Sequence, residues 1–345
     1  MKYTLIIAEA GVNHNGDMET AKRLIDAAVE AKVDLVKFQT FKAETLVSPA
    51  AKKAAYQTKN IEDLDDSQYA MLKKLELSDE QHKELITYCK DKQIEFFSTA
   101  FDTEGLDYLF SLGFSRFKVP SGEITNYPYL KKLASFNKPV ILSTGMADLN
   151  EIREAVKVLC SESLTKEDIT VLHCNTEYPT PMEDVNLLAM HHIAKELGVA
   201  IGYSDHTLGI EVPTAAVALG AVVIEKHFTL DRNLPGPDHK ASLEPAELKA
   251  MVHAIRNIDA AIAGDGIKRS SNSEEQNKGV ARKSIHLNKN LKAGHILKET
   301  DLIPLRPGMG LSPMLWESII GKSITTDKEA YSMLNIEDIK QENEE

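Results

Sequence analysis

Cysteine and tryptophan are scarce in this chain, with three of the first and one of the second in 345 residues. Cys89, Cys160 and Cys174 stand far apart with no CxxC spacing. That leaves no disulfide framework and fits a reducing, cytoplasmic setting, so Cys174 reads as a buried thiol rather than a nucleophile. No apolar run approaches the ~20 residues of a membrane span. The opening MKYTLIIAEAG is apolar only briefly before Glu9, and reads as a first strand rather than a signal peptide. Positive charge is also short: 40 Lys and Arg against 52 Asp and Glu give a net charge of -12. A nucleic-acid or anionic-membrane surface is therefore not expected. Nor does a GxGxxG follow the first strand, which counts against a doubly wound open sheet, the alternative fold for an alternating pattern.

What is present is a hydrophobic fraction of 43% in regular alternation. Strand-like runs at 4–9, 33–38, 94–98, 115–119, 139–143, 169–173, 200–203 and 222–226 alternate with helical spacing at 18–31, 79–91, 103–112, 127–135, 148–160, 183–197, 209–219 and 244–262. Eight such pairs in roughly 260 residues predict a (β/α)8 barrel over 1–262. One excursion, 42–78, is long and polar, and lies on the strand-exit side, where barrels keep substrate loops. Residues 263–279 dissolve into Gly, Ser, Asn and charge and read as a linker, and 280–340 as a small loop-rich second domain. The closing KQENEE has the composition of a disordered tail.

In a parallel barrel, whatever follows each strand collects at one mouth. His206 and His227 come just past the seventh and eighth strands, and two neutral imidazoles side by side suit a divalent metal. Lys37 and Lys118 lie within apolar strands, where inward ammonium groups suit a phosphate with a carboxylate, or else structural ion pairs. Ser143-Thr144-Gly145 offers backbone N–H groups to an anion, or is a plain helix cap. Glu9, Glu123 and Glu225 are acids, bases, metal neighbours or partners of the lysines, and the sequence does not separate these roles. His14 sits in a turn, and reads equally as a site residue or a solvent-facing one. His82, His191, His192, His239, His253, His286 and His295 are expected at the surface.

Taken together, IAEAGVNHNGD, KFQT, SGEITN, ILSTGMAD, HCNTEYPTP, GYSDHTLG, EKHFTLD and GPDHKAS, followed by ARKS and RPGMGLSPM, resemble the sialic acid synthase family over nearly the whole chain. The resemblance implies a (β/α)8 TIM barrel followed by a small antifreeze-like (SAF) domain. It also implies a homodimer in which that domain is swapped to cap the partner's site. The implied reaction condenses phosphoenolpyruvate with an open-chain N-acyl mannosamine-like sugar and releases phosphate by C–O cleavage. Carried over by motif, His206 and His227 bind Mn2+ or Mg2+. Lys37, Thr99, Lys118, Ser121, Ser143 and Ser204 hold phosphoenolpyruvate, with Asn175 or Thr176 as a further phosphate contact. Gln39, Tyr178 and Asp238 face the sugar, and Arg306 reaches an N-acyl group from the partner subunit. Glu9, Glu225 and Lys118 are the catalytic candidates. Ala100 replaces a proline of the family's STPF motif, and Thr176 stands where the family has asparagine.

Within the family, HCNTEYPTPMEDVNL is closer to the bacterial N,N'-diacetyllegionaminate branch than to the N-acetylneuraminate branch. The acceptor then implied is 2,4-diacetamido-2,4,6-trideoxymannose, whose pocket is more apolar near C6 and roomier at C4, with 42–78 as the expected source of the difference. Two other readings compete: a metal-dependent barrel aldolase, which forms or cleaves a C–C bond without losing phosphate, and a sugar-binding protein on an inert barrel.

Overall fold

The computed structural model describes residues 3–61 and 66–340. The chain forms two compact units, Met1–Gly264 and Asp265–Glu345. In the first, eight parallel strands lie in hydrogen-bonded order β3-β2-β1-β8-β7-β6-β5-β4. They are β1 (Leu5–Gly11), β2 (Leu35–Thr40), β3 (Glu95–Ala100), β4 (Phe117–Val119), β5 (Val140–Ser143), β6 (Ile169–Cys174), β7 (Ala200–Asp205) and β8 (Val223–His227). The seam between β3 and β4 carries no ladder but is straddled by Tyr129, whose buried hydroxyl lies 2.9 Å from the Ala100 carbonyl and 3.2 Å from that of Lys118. The result is a nearly closed (β/α)8 barrel, as the alternation predicts.

The helices start where local chemistry allows. Asp17 caps Met18–Ala31, while Ser78 with Gln81 and Asp148 with Glu151 form capping boxes for Asp79–Asp91 and Leu149–Leu159. The helix expected from 183 begins only at Ala189, because a 3-10 turn over Met182–Asp184 and a left-handed Asn186 intervene. The final helix, Pro245–Ala261, is fastened to the first strands by Arg256, which donates to the Thr4 carbonyl and to Asp34, and by Asp259, which accepts from the Thr4 hydroxyl. The excursion after β2 is not structureless: it carries short helices at Ala43–Leu46, Ala55–Ile61 and Gln68–Lys73.

Period-two alternation stacks the barrel interior in layers. Ile7, Leu35, Phe97, Ile141, Leu172 and Val223 form an apolar plug. Gly202 belongs to this layer and has to be glycine, since a Cβ there would stand 2.4 Å from the Val223 carbonyl. Two residues further along the same strands come Glu9, Lys37, Thr99, Ser143, Cys174, Ser204 and Glu225, so the next layer is polar. Two residues beyond that are Gly11, Gln39, Gly145, Thr176, His206 and His227.

The second unit has its own small core of Ile285, Leu287, Leu297, Leu302 and Leu334, around the antiparallel pair β9 (Ser284–Leu287) and β10 (Leu302–Leu305). Part of the stretch read as a linker is helical, Asn272–Ala281, started by a capping box of Ser271 and Glu274. The expected disorder of KQENEE falls, after Lys340, outside the described residues.

Three histidines expected at the surface are buried, each with polar partners. His82 shares the inward face of its helix with Leu85 and Cys89 and meets the Thr40 hydroxyl at 2.8 Å. His239 is held by Thr229 and Asn15, and His286 by the Ser284 carbonyl. His191, His192 and His253 are exposed, and His295 is half-buried.

Candidate active site

A cavity of about 610 Å³ opens where the strands end, floored by the polar layer. A groove of about 620 Å³ lies between the outer helices Tyr127–Ala134 and Leu149–Leu159, but no strand residue lines it.

Four charged groups share the floor. Lys37 is ion-paired with Glu9 and lies 3.6 Å from Glu225, while Lys118 Nζ lies 3.3 Å from the other Glu225 oxygen. Neighbouring hydroxyls orient them: Lys37 donates to Thr99 (3.1 Å), Lys118 to Ser143 (2.6 Å), and Ser204 donates to Glu225 (3.0 Å). The inward lysines and the ion pairs, which the sequence left as alternatives, are thus one arrangement. All four groups are buried, and their proton affinities diverge. Burial pushes Glu9 up to about 7 against the pull of Lys37. Burial also works against the Glu225 carboxylate, but the charges of Lys118 and Lys37 and the Ser204 hydroxyl outweigh it and hold Glu225 down to about 2. Lys118 is lowered by burial and by Lys37, whereas Glu225 and Glu9 outweigh burial at Lys37 and raise it. Two carboxylates in one pocket with proton affinities pushed apart are the usual setting for acid–base work.

Above this layer the His206 and His227 rings lie 5.4 Å apart, and Tyr178 stacks on His206 at 4.0 Å. Both imidazoles are neutral: burial lowers His206 to about 4, and burial with the nearby His206 holds His227 well below its ordinary value. His206 donates its Nδ1–H to the Asn175 carbonyl, which leaves Nε2 with a free lone pair. His227 Nδ1 is buried without a hydrogen-bond partner, 3.8 Å from Asp238, whose carboxyl burial pushes up to about 7. Two lone pairs on neutral rings beside carboxylates fit a divalent ion that completes its shell with water and substrate oxygens. Among the described residues no group of three or more His, Cys, Asp or Glu could hold a metal by itself.

Of the residues singled out from sequence, Glu9, Lys37, Gln39, Thr99, Lys118, Ser121, Ser143, Thr176, Tyr178, Ser204, His206, Glu225, His227 and Asp238 line this cavity. Asn175 does not: its side chain accepts from Glu177 N–H, while Thr176 faces in. Arg306 belongs to the second unit, following β10. His14 is buried outside the cavity, accepting from Gly16 N–H, and Glu123 lines the cavity with one oxygen held by Asn126. The Ser143-Thr144-Gly145 turn is neither anion nest nor cap, since Thr144 N–H goes to Leu172, Gly145 N–H to the Ser121 hydroxyl, and Asp148 caps the helix. Gly145 is needed there, because a Cβ would meet Thr176 Cγ2 at 2.4 Å.

The 42–78 excursion, expected from the sequence to be a substrate loop, does border the cavity as its rim, but the sequence did not single out the residues that line it, Leu46, Gln57, Gln68, Met71 and Leu72. Sequence reasoning also missed Asp205 and Lys226, a fully buried ion pair behind the histidines, with Lys226 donating to the Thr207 carbonyl at 2.7 Å.

The family model described as the NeuB family matches residues 24–268. An N,N'-diacetyllegionaminic acid synthase from Campylobacter jejuni is 55% identical over 94% of this chain and 97% of its own length. The enzyme of that name from Legionella pneumophila is 49% identical, over 97% of this chain and 94% of its own. Among solved structures, the N-acetylneuraminic acid synthetase of Leptospira borgpetersenii superposes with a TM-score of 0.70 at 35% identity, covering 80% of this chain and 90% of that one.

Proposed function

The chain belongs to the NeuB family, and from that premise we propose that it condenses phosphoenolpyruvate with 2,4-diacetamido-2,4,6-trideoxymannose to give N,N'-diacetyllegionaminate and phosphate. The observation that carries the reading is the buried floor, where two lysines and two carboxylates alternate beneath a pair of neutral imidazoles. Lys37 and Lys118 receive the phosphate and carboxylate of phosphoenolpyruvate, each charge-assisted hydrogen bond contributing about 1.5–3 kcal/mol. Thr99, Ser143 and Ser204 keep the ammonium and carboxylate groups aimed, and Ser121 and Thr176 border the same anion site. A divalent ion, Mn2+ or Mg2+, held by His206 and His227 would polarise the sugar aldehyde.

With the aldehyde positioned by Gln39, Tyr178 and Asp238, C3 of phosphoenolpyruvate bonds to sugar C1, the C=O π electrons pass to the aldehyde oxygen, which takes a proton from solvent to become the new hydroxyl, and positive charge develops at C2. Glu225, kept ionised by the lysines, stabilises that charge but is a weak base. Glu9, with its affinity pushed up to about 7, takes the proton from the water that adds to C2. The tetrahedral product then expels phosphate with its bridging oxygen as the C2 hydroxyl gives up its proton to the departing phosphate, and the ketone remains. The same reading takes the second unit as an antifreeze-like domain swapped within a homodimer, so that Arg306 serves the partner's barrel. No helix among the described residues is long and apolar enough to cross a membrane, and the free cysteines support placing the protein in the cytoplasm.

The test is phosphate release with Mn2+ and phosphoenolpyruvate, comparing the trideoxy sugar with N-acetylmannosamine. Preference for the trideoxy sugar is expected. Preference for N-acetylmannosamine makes the chain a neuraminate synthase, and condensation without phosphate release restores the aldolase.

A further inference from the structure

Gln57 and Gln68 stand on two short helices of the β2 excursion, and both face the cavity. Gln57 occupies the third position of its helix, where its Oε1 accepts from the cap residue, Ala54 N–H, at 2.9 Å. That bond fixes which way the carboxamide points: oxygen to the cap, NH2 away from it. Gln68 donates its Nε2 to the same oxygen at 3.4 Å. Gln57 is 9% exposed and Gln68 half-buried, and among the described residues Gln57 Nε2 and Gln68 Oε1 make no hydrogen bond to protein, so both are open to the cavity. A donor and an acceptor side by side and open to the cavity are placed to exchange water for a ligand that carries the complementary acceptor and donor. Beside them Leu46, Met71 and Leu72 form an apolar wall of the same cavity.

We propose that Gln57 and Gln68, with this wall, form the subsite for an acetamido group remote from the reacting carbon, a proposal that rests on the acceptor assignment above. An acetamido group is complementary in all three respects. Its carbonyl takes the hydrogen bond from Gln57 Nε2, its N–H gives one to Gln68 Oε1, and its methyl covers the wall. A hydroxyl in that place leaves the wall bare. Sugar C1 is committed to the floor and the C2 substituent lies next to it, so the rim receives the group on C4. The relatives' names specify a product with two N-acetyl groups, and the subsite accounts for the second.

The decisive variant is Gln57→Glu. Glutamate keeps the acceptor for Ala54 N–H and remains a good capping-box residue, but puts an oxygen where the donor was. Steady-state phosphate release is measured for the parent, Gln57→Glu and Gln68→Leu with both sugars, together with melting temperatures. Each variant is expected to lower the kcat/KM ratio of the diacetamido sugar to N-acetylmannosamine about tenfold per lost hydrogen bond, chiefly through KM, with the KM for phosphoenolpyruvate unmoved. Equal losses with both sugars, with a lowered melting temperature, reduce the pair to a structural tie and overturn the proposal. An unaltered ratio also overturns it. Failure of the unsubstituted protein to use the diacetamido sugar removes the acceptor assignment first, and the subsite with it.

Discussion

Replacing Lys118 by methionine removes one charge from the cavity floor while nearly conserving volume. In the parent, Lys118 Nζ stands 3.3 Å from Glu225 and 2.6 Å from the Ser143 hydroxyl. At an effective dielectric of about 20, the attraction to Glu225 is about 5 kcal/mol, part of which only offsets the cost of burying the ammonium. Without Lys118, one lysine faces two carboxylates, and breaking a buried pair from one side costs about 3–5 kcal/mol. Proton uptake by Glu9, whose affinity burial already raises, recovers some of this. A net loss of about 3 kcal/mol lowers the melting temperature by about 6–12 °C for a unit of this size. Phosphoenolpyruvate binding also loses one charge-assisted hydrogen bond and meets a more negative floor, so its affinity falls about tenfold to 150-fold. Calorimetric melting and titration with phosphoenolpyruvate measure both. A Lys118→Met protein that melts within about 1 °C of the parent and binds phosphoenolpyruvate equally well refutes the reasoning.

Two further outcomes follow from other parts of the chain. His14 accepts a hydrogen bond from Gly16 N–H, and its pKa is lowered to about 4, chiefly by burial. Between about 6.5 and 4 the unfolded chain therefore binds a proton that the folded chain refuses, and stability falls as pH drops through that window. The contribution is about 2 kcal/mol lost between pH 7.5 and pH 5. In His14→Asn an Asx turn can keep the bond to Gly16 without titrating, so melting should depend less on pH than in the parent; identical pH slopes contradict the assignment. Arg306→Ala should raise the KM for the sugar more than the KM for phosphoenolpyruvate, and equal changes remove Arg306 from the sugar site.

The barrel was legible because each strand is a short apolar run followed by polar residues, and the helix 18–31 was bounded by an Asp cap and apolar spacing. The floor was legible for a related reason: once Ile7 and Leu35 point inward, period two forces Glu9 and Lys37 inward as well. Strand ends were read short, because Gly11, Gln39 and Asp205 look like loop residues until the ladder carries them. Asn175 and Thr176 are neighbours with similar chemistry, and only the backbone path after β6 decides that Thr176 faces the cavity. The buried His82 carried a readable signal, its helical spacing with Leu85 and Cys89, as did the helix after Ser271 in its S-x-x-E pattern. The rim had none. Gln57 and Gln68 are polar residues in a polar excursion, and nothing local in the sequence brings their side chains together.

The central claim is that this site joins C3 of phosphoenolpyruvate to the sugar and parts with phosphate by breaking the C–O bond. Phosphoenolpyruvate labelled with 18O in the bridging position, turned over with 2,4-diacetamido-2,4,6-trideoxymannose and Mn2+, tests it by mass spectrometry of both products. The label should leave entirely in inorganic phosphate, and the keto acid should take its C2 oxygen from water. Unlabelled phosphate with the label retained in the keto acid means P–O cleavage, and contradicts the role given to Glu9 and to the charged floor.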